Sequence, residues 1–98
     1  MDFSRAFKAL ADDTRLAILA YLEKPEQLCH RHEEGICSCD IEMKLDLSQP
    51  TVSHHMTILI DAGLVRADRR GRYVYFDLDR AAFRSLAQAI EARVAEPN

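Results

Sequence analysis

The stretch from residue 40 to 78 constrains the fold most, because its hydrophobic period changes from helical to alternating within a single short unit. Ile41 and Leu45 share one face of a short helix over residues 40–46. Leu47 follows, and Ser48 is a good N-cap for a second helix over about residues 49–62, with Pro50 tolerated in its first turn and Gly63 at its stop position. Two helices therefore meet at a tight turn. At about 100° per residue, Met56 and Leu59 of the second helix fall on the side of Val52, whereas Pro50, His54, Thr57 and Asp61 fall opposite. Ile58 also points outward, and His55 lies toward the flank of the buried stripe as a packed, hydrogen-bonded histidine.

After Gly63, residues 64–68 and 72–78 are rich in β-branched and aromatic side chains around Arg69, Arg70 and Gly71. That pattern is a β-hairpin, with Gly71 supplying the positive φ of its turn and two arginines at the tip. A helix pair followed at once by a basic hairpin is a helix-turn-helix with a wing, so the fold class is α+β, mainly α. A helix of this width enters the major groove, where hydroxyl, amide and imidazole groups address base edges, while a basic tip reaches phosphates. Ser48, Gln49, Thr51, Ser53, His54 and Thr57 are the readers available, with Arg69, Arg70 and Arg72 on the wing.

Charge agrees with that assignment only in its distribution. The chain carries a formal −3, yet residues 48–76 hold Arg66, Arg69, Arg70 and Arg72 against Asp61 and Asp68, which leaves +2 there and −5 elsewhere. A basic patch on an acidic body can touch a duplex while the body stays soluble. At 98 residues, the sequence is expected to form a single DNA-binding and sensing domain over 1–98. No apolar run approaches the roughly 20 residues of a membrane span, and the opening lacks a signal peptide's basic start, so the expected location is cytoplasmic with no membrane partner. No nucleophile and base, phosphate loop or catalytic carboxylate pair marks an enzyme.

The flanking segments are helical. Phe3, Ala6, Phe7 and Leu10 recur at helical spacing, and Asp12 or Asp13 caps a second helix through residue 23, with Leu16, Leu19, Ala20 and Leu22 on more than one side and Pro25 closing it. That helix is expected to be largely buried. Phe83, Leu86, Ala87, Ile90 and Val94 form the stripe of a terminal helix, and such a stripe needs a partner.

Ala9-Leu-Ala-Asp-Asp-Thr-Arg-Leu-Ala-Ile-Leu19, Cys37-Ser-Cys-Asp-Ile41, Leu47-Ser-Gln-Pro-Thr-Val-Ser-His-His-Met56 and Ala62-Gly-Leu-Val-Arg66 together resemble the ArsR/SmtB family of metal-responsive repressors over nearly the whole chain. The resemblance implies a winged-helix homodimer that binds double-stranded operator DNA and leaves it when a metal or metalloid binds. It also implies that the first and last helices build the dimer interface, giving Phe3, Phe7, Leu10, Phe83, Leu86, Ile90 and Val94 a place to be buried. Two recognition helices related by a two-fold axis then require an inverted-repeat operator.

Three cysteines in a cytoplasmic protein are not expected to form structural disulfides, which leaves free thiol, metal ligand or redox switch. Cys37 and Cys39 would point about 200° apart on a helix but to the same side of a strand, so joint binding of one ion requires non-helical backbone just before the helix pair. Cys29 can fold back as a third thiolate, with His30 or His32 as a fourth donor. The Cys-x-Cys-Asp sequence at Cys37 matches the family's sensors, whereas the last helix lacks the histidine ligands of its zinc-sensing members. Three soft thiolates neutralise a trivalent metalloid, which favours As(III) or Sb(III) as inducer over Cd(II), Zn(II) or Cu(I). The positive end of a helix near Asp40 favours thiolates for metal capture and oxidation alike, so pairing of Cys37 or Cys39 with Cys29 under oxidant is the competing reading.

Overall fold

Asp2 caps the first helix, α1 (Phe3–Leu10), and Asp12 caps the second, α2 (Asp13–Glu23); each carboxylate accepts the N–H three residues on at 3.0 Å. The structure, a computed structural model, describes residues 1–24 and 35–95. After α2 come strand β1 (Ile36–Cys37), helices α3 (Ser38–Leu45) and α4 (Gln49–Asp61), strands β2 (Val65–Arg70) and β3 (Tyr73–Leu78), and helix α5 (Arg80–Val94). The sheet is antiparallel in the order β1-β3-β2.

Local chemistry sets each junction of the helix pair. Asp46 caps α3 in the left-handed conformation at φ 53°, a region that aspartate tolerates better than most residues, and the chain turns there. Ser48 Oγ then accepts the Thr51 N–H and starts α4. At the far end Gly63, at φ 79°, closes a Schellman motif: its N–H donates to the Ile60 carbonyl at 2.9 Å and that of Leu64 to the Leu59 carbonyl at 3.1 Å.

Ile18 of α2, Ile41 of α3, Val52, Met56 and Leu59 of α4, and Leu64 meet in one core. Burying an aliphatic side chain of this size contributes about 1.5–3 kcal/mol. Val65 of β2 and Leu78 of β3 belong to the same core, so it is the packing of α4 against the sheet that positions its outward face beside the wing.

Several expectations need correction. Helix α3 begins at Ser38 rather than Asp40, and β1, a two-residue strand, joins the wing sheet ahead of it. Arg69 and Arg70 are the last residues of β2, and the turn itself is Gly71 and Arg72. Ile58 is half-buried against the core, because α4 also packs along that flank. Leu16 is exposed, so α2 is buried on one side only. Of the apolar residues expected at a subunit interface, Leu86 is buried within the protomer and Leu10 and Phe83 pack against its core, whereas Phe3, Phe7, Ile90 and Val94 remain exposed.

Candidate nucleic-acid interface and thiol cluster

On α4, Val52, Met56 and Leu59 turn inward, which leaves Ser48, Gln49, Thr51, Ser53, His54 and Thr57 all exposed along its start and outer face. The Ser48 and Thr51 hydroxyls bond each other at 2.9 Å, so Ser48 is both cap and candidate reader. Arg69, Arg70 and Arg72 are exposed on the wing. They are not equivalent. Arg70 donates to Asp68 Oδ2 at 2.8 Å and lies over the Tyr75 ring at 5.5 Å, while Arg69 and Arg72 make no ion pair among the described residues. Arg66 faces Asp77 across the strands at 3.8 Å, an exposed pair of small energetic weight.

Cys37 and Cys39 stand on either side of a boundary. Cys37 is the last residue of β1 and, with extended backbone at φ −99° and ψ 171°, the N-cap of α3, whereas Cys39 lies in the first helical turn. The predicted requirement for non-helical backbone is met at Cys37 itself, just before the first helical residue, Ser38. Their Cα atoms are 5.4 Å apart and their sulfurs are joined in a disulfide, which corrects the expectation of no structural disulfide and, for the redox reading, pairs Cys37 with Cys39 rather than with Cys29. The physical reason is that the strand-to-helix change brings together two side chains that a continuous helix would have separated.

Asp40 completes the cluster. Its carboxylate accepts the Cys37 N–H at 3.0 Å, forms a capping box with that residue, and is buried to 2% exposure. The Cys37 and Cys39 sulfurs and an Asp40 oxygen lie within 4.8 Å of one another. The set is compact and two of its three donors are soft, so once the disulfide is reduced the two thiolates suit a thiophilic ion. Cys29, His30 and His32 lie outside the described residues.

Two residues were missed by sequence reasoning as parts of a site. Asp40 had a signal: an acid three positions after a cap is the capping-box spacing. Arg15 had a fainter one, a cation on the same helical stripe as Leu19 and Leu22. Its side chain is only 12% exposed, and its Nη1 donates to His55 Nδ1 at 3.2 Å, so the expectation of a packed, hydrogen-bonded His55 is met. The Arg15 N–H and guanidinium beside Asp12 hold that carboxyl below the usual carboxylate range, against a smaller opposing effect of burial.

The pattern of the family described as bacterial regulatory protein, arsR family, matches residues 12–67. The chain is 36% identical over 100 residues to the uncharacterized HTH-type transcriptional regulator YbzH of Bacillus subtilis, covering 96% of this chain and 100% of that protein. It is 35% identical over 77 residues to the arsenical resistance operon repressor of the same organism, covering 79% of this chain and 66% of the relative. Among solved structures, the homodimeric winged helix-turn-helix DNA-binding domain Mb0332 from Mycobacterium bovis superposes with a TM-score of 0.68 at 25% identity, covering 93% of this chain and 77% of that one. Among the described residues no helix is long and apolar enough to cross a membrane.

Proposed function

Because this chain belongs to the ArsR family of bacterial regulatory proteins, whose members are DNA-binding transcriptional regulators and not enzymes, we propose that it is a homodimeric repressor of an inverted-repeat operator, released by As(III) or Sb(III). Cys37 and Cys39 hold the inducer, and Cys29 is the third sulfur. Cd(II), Zn(II) and Cu(I) are the alternative ions. In this reading Ser48, Gln49, Thr51, Ser53, His54 and Thr57 address base edges, and Arg69, Arg70 and Arg72 address phosphates. The exposed Phe3, Phe7, Ile90 and Val94 are covered by a second copy.

One observation carries the sensing assignment: Cys37 belongs at once to the wing sheet and to the reading helices. Its backbone stands opposite Tyr75 of β3, which in turn stands opposite Asp68 of β2, so the three form one row across the sheet that ends beneath Arg70. The same residue caps α3. A bound trivalent metalloid supplies a cross-link among thiolates whose charges it neutralises. The chain's own residues do the rest. Asp40 holds the Cys37 N–H, so a displacement of Cys37 loosens the start of α3 and tilts the row that carries the wing. A coupling of about 1–3 kcal/mol, ordinary for linked sites, changes operator affinity roughly 5- to 150-fold.

The reduced protein titrated with arsenite while bound to the DNA upstream of its own gene tests this. Cys39→Ser should stay on the DNA at arsenite concentrations that release the parent protein; equal release would remove the sensing assignment. The Cys37–Cys39 disulfide favours a second reading, in which hydrogen peroxide oxidises the two thiols to that disulfide and is reduced to two waters. Release only upon loss of free thiols, and not by arsenite under reducing conditions, selects it.

A further inference from the structure

We propose that the Arg15–His55 contact is the joint that fixes the angle between the dimerising helix α1 and the reading helix α4, and so sets the operator half-site spacing the protein accepts. The proposal rests on the dimeric DNA-binding reading above. Arg15 Nε donates to the Ala9 carbonyl at 2.7 Å and Nη2 to the Lys8 carbonyl at 3.4 Å, both in the last turn of α1, where the Lys8 carbonyl also accepts the Ala11 N–H. Its Nη1 lies 3.8 Å from Asp12 Oδ2 at the cap of α2 and donates to His55 Nδ1 on α4 at 3.2 Å. One guanidinium therefore ties three helices.

A guanidinium only donates, so Nδ1 of His55 is the acceptor and the imidazole proton sits on Nε2. The joint is directional: a fork of fixed planar geometry holds α1 carbonyls on one side and an α4 ring nitrogen on the other. The exposed Phe3 and Phe7 are carried by α1, and the candidate reader His54 is the neighbour of His55, their ring centroids 5.7 Å apart. Any rotation of α4 against α1 must break a charge-assisted bond at a largely buried group. In a two-fold dimer the same rotation changes the distance between the two reading helices, and one added base pair already moves a half-site by about 3.4 Å and turns it by about 35°.

The test measures the affinity of the full, reduced protein for an operator at its native spacing and for versions lengthened or shortened by one base pair, with a single half-site as control. The wild type should discriminate roughly tenfold or more, the size of one charge-assisted hydrogen bond. His55→Leu should flatten that preference while binding the half-site as before, and His55→Asn, whose amide oxygen takes the place of Nδ1, should restore it. Loss of folding alone would lower all affinities together; if His55→Leu loses the half-site as well, His55→Gln, whose acceptor lies one bond further out, replaces it. Wild-type discrimination retained by His55→Leu overturns the proposal, as does a flattened preference in His55→Asn. A wild type indifferent to spacing overturns the dimeric reading and the proposal with it.

Discussion

Replacing Asp40 with alanine should destabilise the reduced, ion-free protein before any inducer is involved. The carboxylate is buried to 2% exposure, accepts the Cys37 N–H at 3.0 Å, and sits in the first turn of α3. Truncation leaves that N–H without its acceptor in a buried setting, which costs about 1–3 kcal/mol. It also removes a negative charge from the positive end of a helix, worth about 0.3–1 kcal/mol. A loss of about 2 kcal/mol lowers Tm by roughly 8–16 °C in a domain of this size. Asp40→Asn keeps an acceptor and loses only the charge, so its loss should be under about 1 kcal/mol. Thermal unfolding followed by circular dichroism at one fixed protomer concentration separates the two, since association otherwise moves Tm by mass action. An alanine variant as stable as the parent, or an asparagine variant as unstable as alanine, refutes the capping argument.

Other outcomes follow from the same geometry. Arg72→Ala should weaken binding to every DNA sequence and reduce the slope of log affinity against log salt by about 0.9, whereas Arg70→Ala should change it less, because the Arg70 guanidinium is already engaged by Asp68; salt titrations of a gel shift check both. Asp46→Val should cost more than about 1 kcal/mol because of the left-handed backbone at that position, and Asp46→Gly should be close to neutral, as chemical denaturation would measure. The lowered pKa of Asp12 means that its contribution to stability is fully present above the ordinary carboxylate pKa and is lost as pH falls through its folded value; Asp12→Asn should therefore show a flatter acid limb in a stability–pH profile.

What was legible in the sequence was whatever repeats or caps locally. Ser48, Gly63 and the alternation around Gly71 announce their elements because each acts within a few residues of itself. Strand β1 was hidden because two residues carry no period, and its existence depends on pairing with β3 some forty positions away. Every reader named from angle on α4 is exposed, although Ile58, set outward by the same angle, is half-buried because a neighbouring flank also packs. The pairing of Cys37 with Cys39 could not be read, because it turns on where a helix begins to within one residue. Arg15 and His55 stand forty residues apart, and only the assembled core brings them into contact.

The amino end of α4 has a consequence for how such a surface is tuned. Pro50 has no N–H to offer, and the Thr51 N–H is already taken by Ser48, so main-chain donors that could grip a phosphate are scarce where the helix would approach a duplex. In the proposed reading, recognition there falls to replaceable side chains, so substitutions among them would retarget the protein to new promoters while its scaffold stays as it is.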